Sequence, residues 1–413
     1  MRDKTLGAYN IHDLREMARR RLPRGVFEFV DRGTEDESAL RNNRAAFERI
    51  RLKPRTLVDV SGRSQAITLF GKKQPMPIVV GPTGTAGLLS YGGEVAVARA
   101  AAAAGIPFTV GTNAMTSMET IAEQAGGRLW FQLYMWSDRS ASHQIVERAK
   151  GVGFEALMVT VDGAAPSNRE YNHRNGFEVP IHFNARNVTD VLSRPRWLVE
   201  VFLRQLLAKG MPRFENYPPE VMDGLMARTL KKSILKNDSL NFEDLRVLRK
   251  LWPKTLMVKG VLHPQDAARA ADCGADAVIV SNHGGRNLDG APAPIDVLPE
   301  ILDAAGKRLT VMVDSGVRRG TDVVKALALG AAAVLIGRAP LYGVAAAGEA
   351  GASRAIAIFR EEIDRVMALL GVCSVAELDR RYLQMTDAGG GVEAESTLSD
   401  LRHLTGGHDA CSA

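Results

Sequence analysis

At 413 residues, the chain can form one large domain with appendages or two domains. Its 46% apolar and 24% charged residues describe a globular protein with a sizeable core, and no stretch reaches the ~20 apolar residues of a membrane span. The net charge of +6 suits a solvated surface, or attraction to anionic substrates or an anionic membrane.

The N-terminus lacks the apolar core of a signal peptide. Cys273, Cys373 and Cys411 are too scattered for a disulfide framework or a metal site, so a reducing compartment is expected. Residues 1–50 predict a helical cap. Ile11, Leu14, Met17 and Ala18 recur at helical spacing, Leu22-Pro23 breaks the pattern, and 42–49 resumes it. From residue 76, short apolar runs alternate with polar or Gly-rich loops and alanine-rich helices. The runs are 77–80, 107–110, 129–133, 156–161, 256–259, 277–280, 309–313 and 333–336. Continuous apolar runs between helices mark buried parallel strands. Eight such units predict an α/β fold, a TIM (β/α)8 barrel within 51–370. An open doubly wound sheet would want an early G-x-G-x-x-G, which Gly81-Pro82-Thr83-Gly84-Thr85 does not supply.

A long insert, 177–240, separates the fourth and fifth runs. In it, Val199, Phe202, Leu203, Leu206 and Leu207 share one face of an amphipathic helix. Arg194, Arg196, Arg204, Lys209 and Arg213 surround that face with positive charge. Two placements are expected: a lid or interface helix packed on the barrel, or a helix lying on an anionic membrane through 194–213. Residues 371–413 are expected to form a helical extension and a mobile tail.

Reactive groups of a TIM barrel sit on the loops after its strands. Taken in order, these loops carry Pro82, Thr83 and Gly84, then Gln132 and Tyr134, then Asp162 and Arg169. Lys259 ends the fifth strand, and Ser281-Asn282-His283-Gly284-Gly285-Arg286 follows the sixth. Asp314, Gly316 and Arg318 follow the seventh, and Gly337-Arg338 the eighth. Singly, Tyr134 would be packing and Asp162 a helix cap; their joint placement argues for a site. The glycine amides and arginines of the last two loops suit a phosphate, hence a phosphorylated cofactor. His283 can act as a base, and Arg169 and Arg286 as anion holders. Lys259 can stabilise negative charge on a cofactor such as a flavin, or form a Schiff base as in barrel aldolases. No metal-ligand spacing occurs, and the basic residues lack the interleaved aromatics of a nucleic-acid surface.

The chain resembles the FMN-dependent (S)-2-hydroxy acid oxidase and dehydrogenase family. The resemblance runs from Arg20-Arg21-Leu22-Pro23 to about residue 370 and rests on the 281–286 signature, Gly81-Pro82-Thr83-Gly84, Phe131-Gln132-Leu133-Tyr134, Lys259-Gly260 and 314–320. Gly84 and Arg194-Pro195-Arg196-Trp197 look most like its bacterial mandelate-oxidising branch. The resemblance implies FMN as cofactor and His283 as the base, with Asp162 stabilising its imidazolium. It implies that Tyr134 bonds the substrate hydroxyl, that Arg169 and Arg286 hold its carboxylate, and that Lys259 faces the flavin N1 and O2. Pro82, Thr83, Gln132, Thr160 and Ser281 would bind the isoalloxazine and ribityl parts. Asp314, Gly316, Arg318, Gly337 and Arg338 would hold the ribityl and phosphate. Gly84 would make room for a bulky side chain.

One position departs from the family pattern. Phe29 stands where a tyrosine usually helps hold the carboxylate, and losing that hydrogen bond would cost roughly 1.5–3 kcal/mol. The expected activity is oxidation of a mandelate-like 2-hydroxy acid, with a quinone, oxygen or a soluble carrier as electron acceptor. The alternatives are lactate oxidation, action on a modified peptide in redox-cofactor biosynthesis, and flavin binding without turnover. Family analogy adds a homotetramer, in the cytoplasm or on the inner face of the cell membrane.

Overall fold

The structure, a computed structural model, describes residues 7–177, 184–217 and 238–386. Eight parallel strands close into a barrel: β1 (Ile78–Val80), β2 (Phe108–Gly111), β3 (Leu129–Tyr134), β4 (Ala156–Thr160), β5 (Thr255–Val261), β6 (Ala277–Val280), β7 (Thr310–Val313) and β8 (Val334–Ile336). Each strand pairs with its neighbours in sequence, and β8 closes on β1 through Val334–Ile78 and Ile336–Val80. The predicted TIM barrel is present, and each apolar run supplies one strand.

Alternation along the strands sorts the side chains. Val79, Trp130, Met158, Met257, Ile279, Met312 and Leu335 fill one buried cluster, the barrel interior. Val80, Phe131, Val159, Val258, Val280, Val313 and Ile336 belong to the cluster shared with the helices. Leu69 and Phe70, from the hairpin of strands Ile67–Leu69 and Lys72–Gln74, plug the N-terminal end, with Phe70 edge-on to Trp130 at 5.7 Å. One alternation further along, the inward row turns polar: Gln132, Thr160, Lys259, Ser281, Asp314 and Gly337. That change from apolar to polar, in phase with the pleat, places the site at the C-terminal mouth.

The N-terminal segment covers this mouth. It comprises α1 (Ile11–Arg21), α2 (Arg24–Asp31) and α3 (Ser38–Glu48), with Pro23 between the first two, as Leu22-Pro23 led one to expect. Arg15 holds Asp31 through two 2.6 Å hydrogen bonds, and Tyr342 donates a third to Asp31 at 2.7 Å. α3 is stitched to the 281–290 loop. Asn43 and Asn282 exchange reciprocal side-chain amide bonds at 2.9 and 2.7 Å, both buried, and the Ala39 N–H donates to Asp289 at 3.0 Å.

Two expectations are corrected. Residues 371–386 are not a helical extension: two short 3-10 turns lead into a strand, Leu383–Met385, which pairs antiparallel with Ile50–Leu52. The expected boundary at residue 50 falls inside that pairing. The tail that was expected to be mobile lies outside the described residues. In the insert, helix Pro195–Lys209 contains a π-helical stretch, Leu198–Leu203. Trp197 and Val201 are buried, Phe202 stacks on Trp197 at 6.2 Å, and the indole N–H of Trp197 donates to the Leu88 carbonyl at 2.8 Å. Val199, Leu203, Leu206 and Leu207 of the expected face point to solvent, Leu207 being 87% exposed, so of the two expected placements this face does not make the one packed on the barrel.

Asn43→Ala leaves the buried amide of Asn282 short of a partner. It is expected to lower unfolding stability by roughly 1–3 kcal/mol, read from chemical denaturation.

Candidate active site

His283 sits where the chain leaves β6, with φ at +59°, a conformation unusual for a residue bearing a side chain. Its N–H donates to Ser281 Oγ at 3.1 Å. The twist turns its ring across the mouth toward the loop after β4. There Nδ1 meets both carboxylate oxygens of Asp162, at 3.0 and 3.2 Å. A carboxylate only accepts, so the Nδ1 position carries the proton and Nε2 is left with its lone pair. Nε2 lies 3.3 Å from the Tyr134 hydroxyl, and the two rings are stacked. Burial lowers the His283 pKa below the ordinary imidazole range, against the pull of Asp162. Burial opposes ionisation of Asp162, but His283 and Lys259 outweigh it and hold that carboxyl low. Burial and the Asp162 charge push the Tyr134 phenol up, keeping it protonated.

Near His283 three cations line the same pocket, in two kinds of setting. Lys259 Nζ is buried, 3.1 Å from Asp314 Oδ2, and donates to Ser281 Oγ at 2.9 Å. Burial works against its charge, but Asp314 and Asp162 outweigh it, and its pKa is raised. Arg169 and Arg286 have no ion pair among the described residues. Burial lowers both, with Arg169 adding repulsion that brings Arg286 to about 10. The Arg169 Nε is buried without a partner. Arg286 leans on the Arg32 carbonyl at 2.9 Å and lies over the Phe29 ring at 5.6 Å. Two half-buried guanidiniums with spare donors suit a small anion.

The far end of the pocket is built for a larger anion. Gly316 has φ +80°, and a methyl there would overlap the Asn43 carbonyl oxygen, so only glycine brings this backbone so close. Helix Arg338–Leu370 starts at the pocket wall, presenting its first N–H groups. Arg318 has no ion pair among the described residues. The guanidinium of Arg338 is already bonded to the carbonyls of Val30, Gly284 and Arg32 at 3.0–3.3 Å, and burial lowers its pKa to about 10. Arg338 therefore faces a ligand chiefly with its main chain and its unneutralised charge.

All but two of the residues expected from sequence line this one pocket, from Phe29, Pro82, Thr83 and Gly84 through Gln132 and Thr160 to Gly337 and Arg338. Asp162 and Ser281 stand behind the lining, bonded to His283 and Lys259. Sequence reasoning missed Asn113, Ser315 and Phe214. Asn113 and Ser315 lie on barrel loops and were within reach of the same loop-by-loop reading. Phe214 comes from the insert, where no periodicity marks it.

A profile of the FMN-dependent dehydrogenase family matches residues 18–385. The chain is 43% identical to (S)-mandelate dehydrogenase of Pseudomonas putida over 398 residues, 96% of this chain and 98% of that one. It is 39% identical to L-lactate dehydrogenase of Caulobacter sp. strain K31, covering 91% of this chain and 98% of that one. The crystal structure of the monotopic membrane protein (S)-mandelate dehydrogenase superposes with a TM-score of 0.87 at 42% identity, covering 92% of this chain and all of that one. The chain belongs to the FMN-dependent dehydrogenase family, and it is an FMN-dependent oxidoreductase of 2-hydroxy acids. The pocket fits that cofactor in its donor chemistry: a paired ammonium and neutral amide and hydroxyl groups at one end, a glycine cradle and a helix start at the other.

A neutral imidazole with a free Nε2 lone pair can take a proton, so if the reaction uses it kcat/KM should fall with decreasing pH as His283 protonates, with an apparent pKa below the ordinary histidine value. Asp162→Asn, which can donate to Nδ1 and favour the wrong tautomer, is expected to lower kcat/KM by roughly 10²–10⁴-fold.

Proposed function

We propose that this FMN-dependent dehydrogenase oxidises an (S)-2-hydroxy acid with a bulky, mandelate-like side chain to its 2-keto acid, with His283 as the base. The carrying observation is the Asp162–His283 pair facing two unneutralised arginines across one pocket. A substrate carboxylate seated between Arg169 and Arg286 relieves their mutual repulsion and gives the Arg169 Nε its acceptor. The carbinol then lies toward Tyr134 and His283. Tyr134 orients the hydroxyl, and His283 Nε2 removes the hydroxyl proton in a hydride route or the α-proton in a carbanion route. Asp162 stabilises the imidazolium that forms. When bound, FMN accepts the two electrons, and the buried Lys259 cation would face the charge that this adds. Gln132, Thr160 and the Pro82-Thr83 backbone would hold its ring system, and Gly316, Arg318 and the Gly337-Arg338 helix start its phosphate.

Gly84 supports the bulky side chain: a methyl there would press on Asn113, 3.1 Å from its Cβ. Phe29 adds an apolar ring to the same pocket, packed edge-on against Phe177 at 5.6 Å and lying under Arg286. Lactate is the second reading, supported by relatives such as the Caulobacter enzyme.

The insert supports residence on the inner face of the membrane and a lipid-soluble acceptor such as a quinone. Val199, Leu203, Leu206 and Leu207 are exposed beside Arg196 and Arg204. Among the described residues no helix is long and apolar enough to cross a membrane.

Anaerobic (S)-mandelate should bleach the flavin, and His283→Ala should abolish bleaching while keeping the yellow colour; an unbleached parent enzyme sinks the reading. Arg169→Met should raise KM by roughly 10–150-fold through loss of a charge-assisted bond. The protein should co-sediment with vesicles rich in anionic lipid more than with neutral ones, and Leu207→Glu should weaken that binding.

A further inference from the structure

The barrel does not build the whole pocket wall. Phe214 belongs to the insert, yet it lines the same pocket as Gly84, Tyr134, Arg169 and His283. The segment that carries it is fastened to the loop after β2. The Glu215 N–H donates to the Ala114 carbonyl at 3.1 Å. Asn216, fully buried, accepts from the Met118 N–H at 2.9 Å and donates to the Gly111 carbonyl at 3.2 Å. The Tyr217 hydroxyl donates to Asn113 Oδ1 at 2.7 Å. The Tyr217 ring also packs on Trp136 at 4.9 Å and on Phe214 itself at 5.2 Å. Consecutive hydrogen bonds and two ring contacts make this a clasp rather than a loose flap, and Phe214 is the side chain it delivers.

The clasp also reaches the residue that bounds Gly84. Asn113, which Tyr217 holds, is the group that a side chain at position 84 would strike. The space beside Gly84 and the ring of Phe214 are thus set by one hydrogen-bonded unit. The anion socket of Arg169 and Arg286 reads the carboxylate. Phe214 offers no polar atom, so what it can read is the remaining part of the ligand, and an apolar ring packed on it gains both buried area and ring–ring contact.

We propose that Phe214 is the residue that selects the substrate's side chain in favour of an aryl group, and that Asn216 and Tyr217 are positioning residues that hold it in the pocket. The turnover part of this rests on the hydroxy-acid reading above; the binding part does not.

The test uses the FMN-loaded protein and two carboxylates that cannot be oxidised at a carbinol, phenylacetate and acetate, followed by the change in flavin absorbance. Phe214→Ala is expected to weaken phenylacetate about tenfold and leave acetate within about twofold. Phe214→Leu, which keeps apolar volume, should fall between parent and alanine. Tyr217→Phe should shift phenylacetate in the same direction while flavin content and thermal midpoint stay near the parent's. In turnover, Phe214→Ala should raise KM for (S)-mandelate with little change in kcat and lower kcat/KM for (S)-mandelate more than for lactate. Equal weakening of both carboxylates, or no weakening of either, overturns the assignment of Phe214. A Tyr217→Phe protein that binds phenylacetate as the parent does overturns the positioning role. If the parent binds phenylacetate but oxidises neither acid, the functional reading falls, and the binding ratio still decides the role of Phe214.

Discussion

Two guanidinium groups, Arg169 and Arg286, lie half-buried in one pocket at the mouth of the barrel, with no ion pair among the described residues. Holding like charges out of water is costly, and the cost rises when neither is paired. Much of the surrounding architecture offsets it. The backbone around the end of α2 turns its carbonyls inward, so that Val30 and Arg32 accept from both Arg286 and Arg338. These are partial charges, enough to solvate a guanidinium but too weak to neutralise it. A full negative charge is still wanted at the socket, and in the proposed reading a substrate carboxylate supplies one.

The other charged groups follow the opposite rule. Lys259 has Asp314 beside it, and His283 has Asp162. Each of these groups keeps a resident partner because its state has to be fixed in advance: Lys259 charged, His283 neutral with its proton on Nδ1. The pocket thus combines paired groups with set protonation and an unpaired pair awaiting a ligand. In the proposed reading, anion recognition and base chemistry are kept apart by whether the protein provides its own counter-charge.

The barrel was legible because each strand is buried on both faces and reads as an uninterrupted apolar run. The polar row from Gln132 to Gly337 was legible because strand period and barrel geometry leave those side chains one direction to point. Other features follow from contacts that a linear reading does not contain. Leu383–Met385 is a strand only because Ile50–Leu52 lies alongside it. The insert helix carries apolar residues on two faces, and the packed one is the face of Trp197 and Val201, where Trp197 is anchored to Leu88. Arg338 reads as a phosphate ligand in sequence, yet most of its donors are taken by carbonyls from α2 and its following turn and from the loop after β6. Phe214 has no pattern around it at all; its place depends on hydrogen bonds to the loop after β2.

The reciprocal amide pair joins residues 239 positions apart, Asn43 and Asn282, and the strand at 50–52 waits for one at 383–385. Contacts of such sequence separation carry a large loop-closure cost and form late. On the ribosome, the cap that holds Arg286 is made first, while the loop it must grip is made more than two hundred residues later. A nascent chain can therefore stack helices and pair several strands without possessing a working pocket. The pocket is therefore complete only once residues far apart in the described chain, such as Asn43 and Asn282, have met.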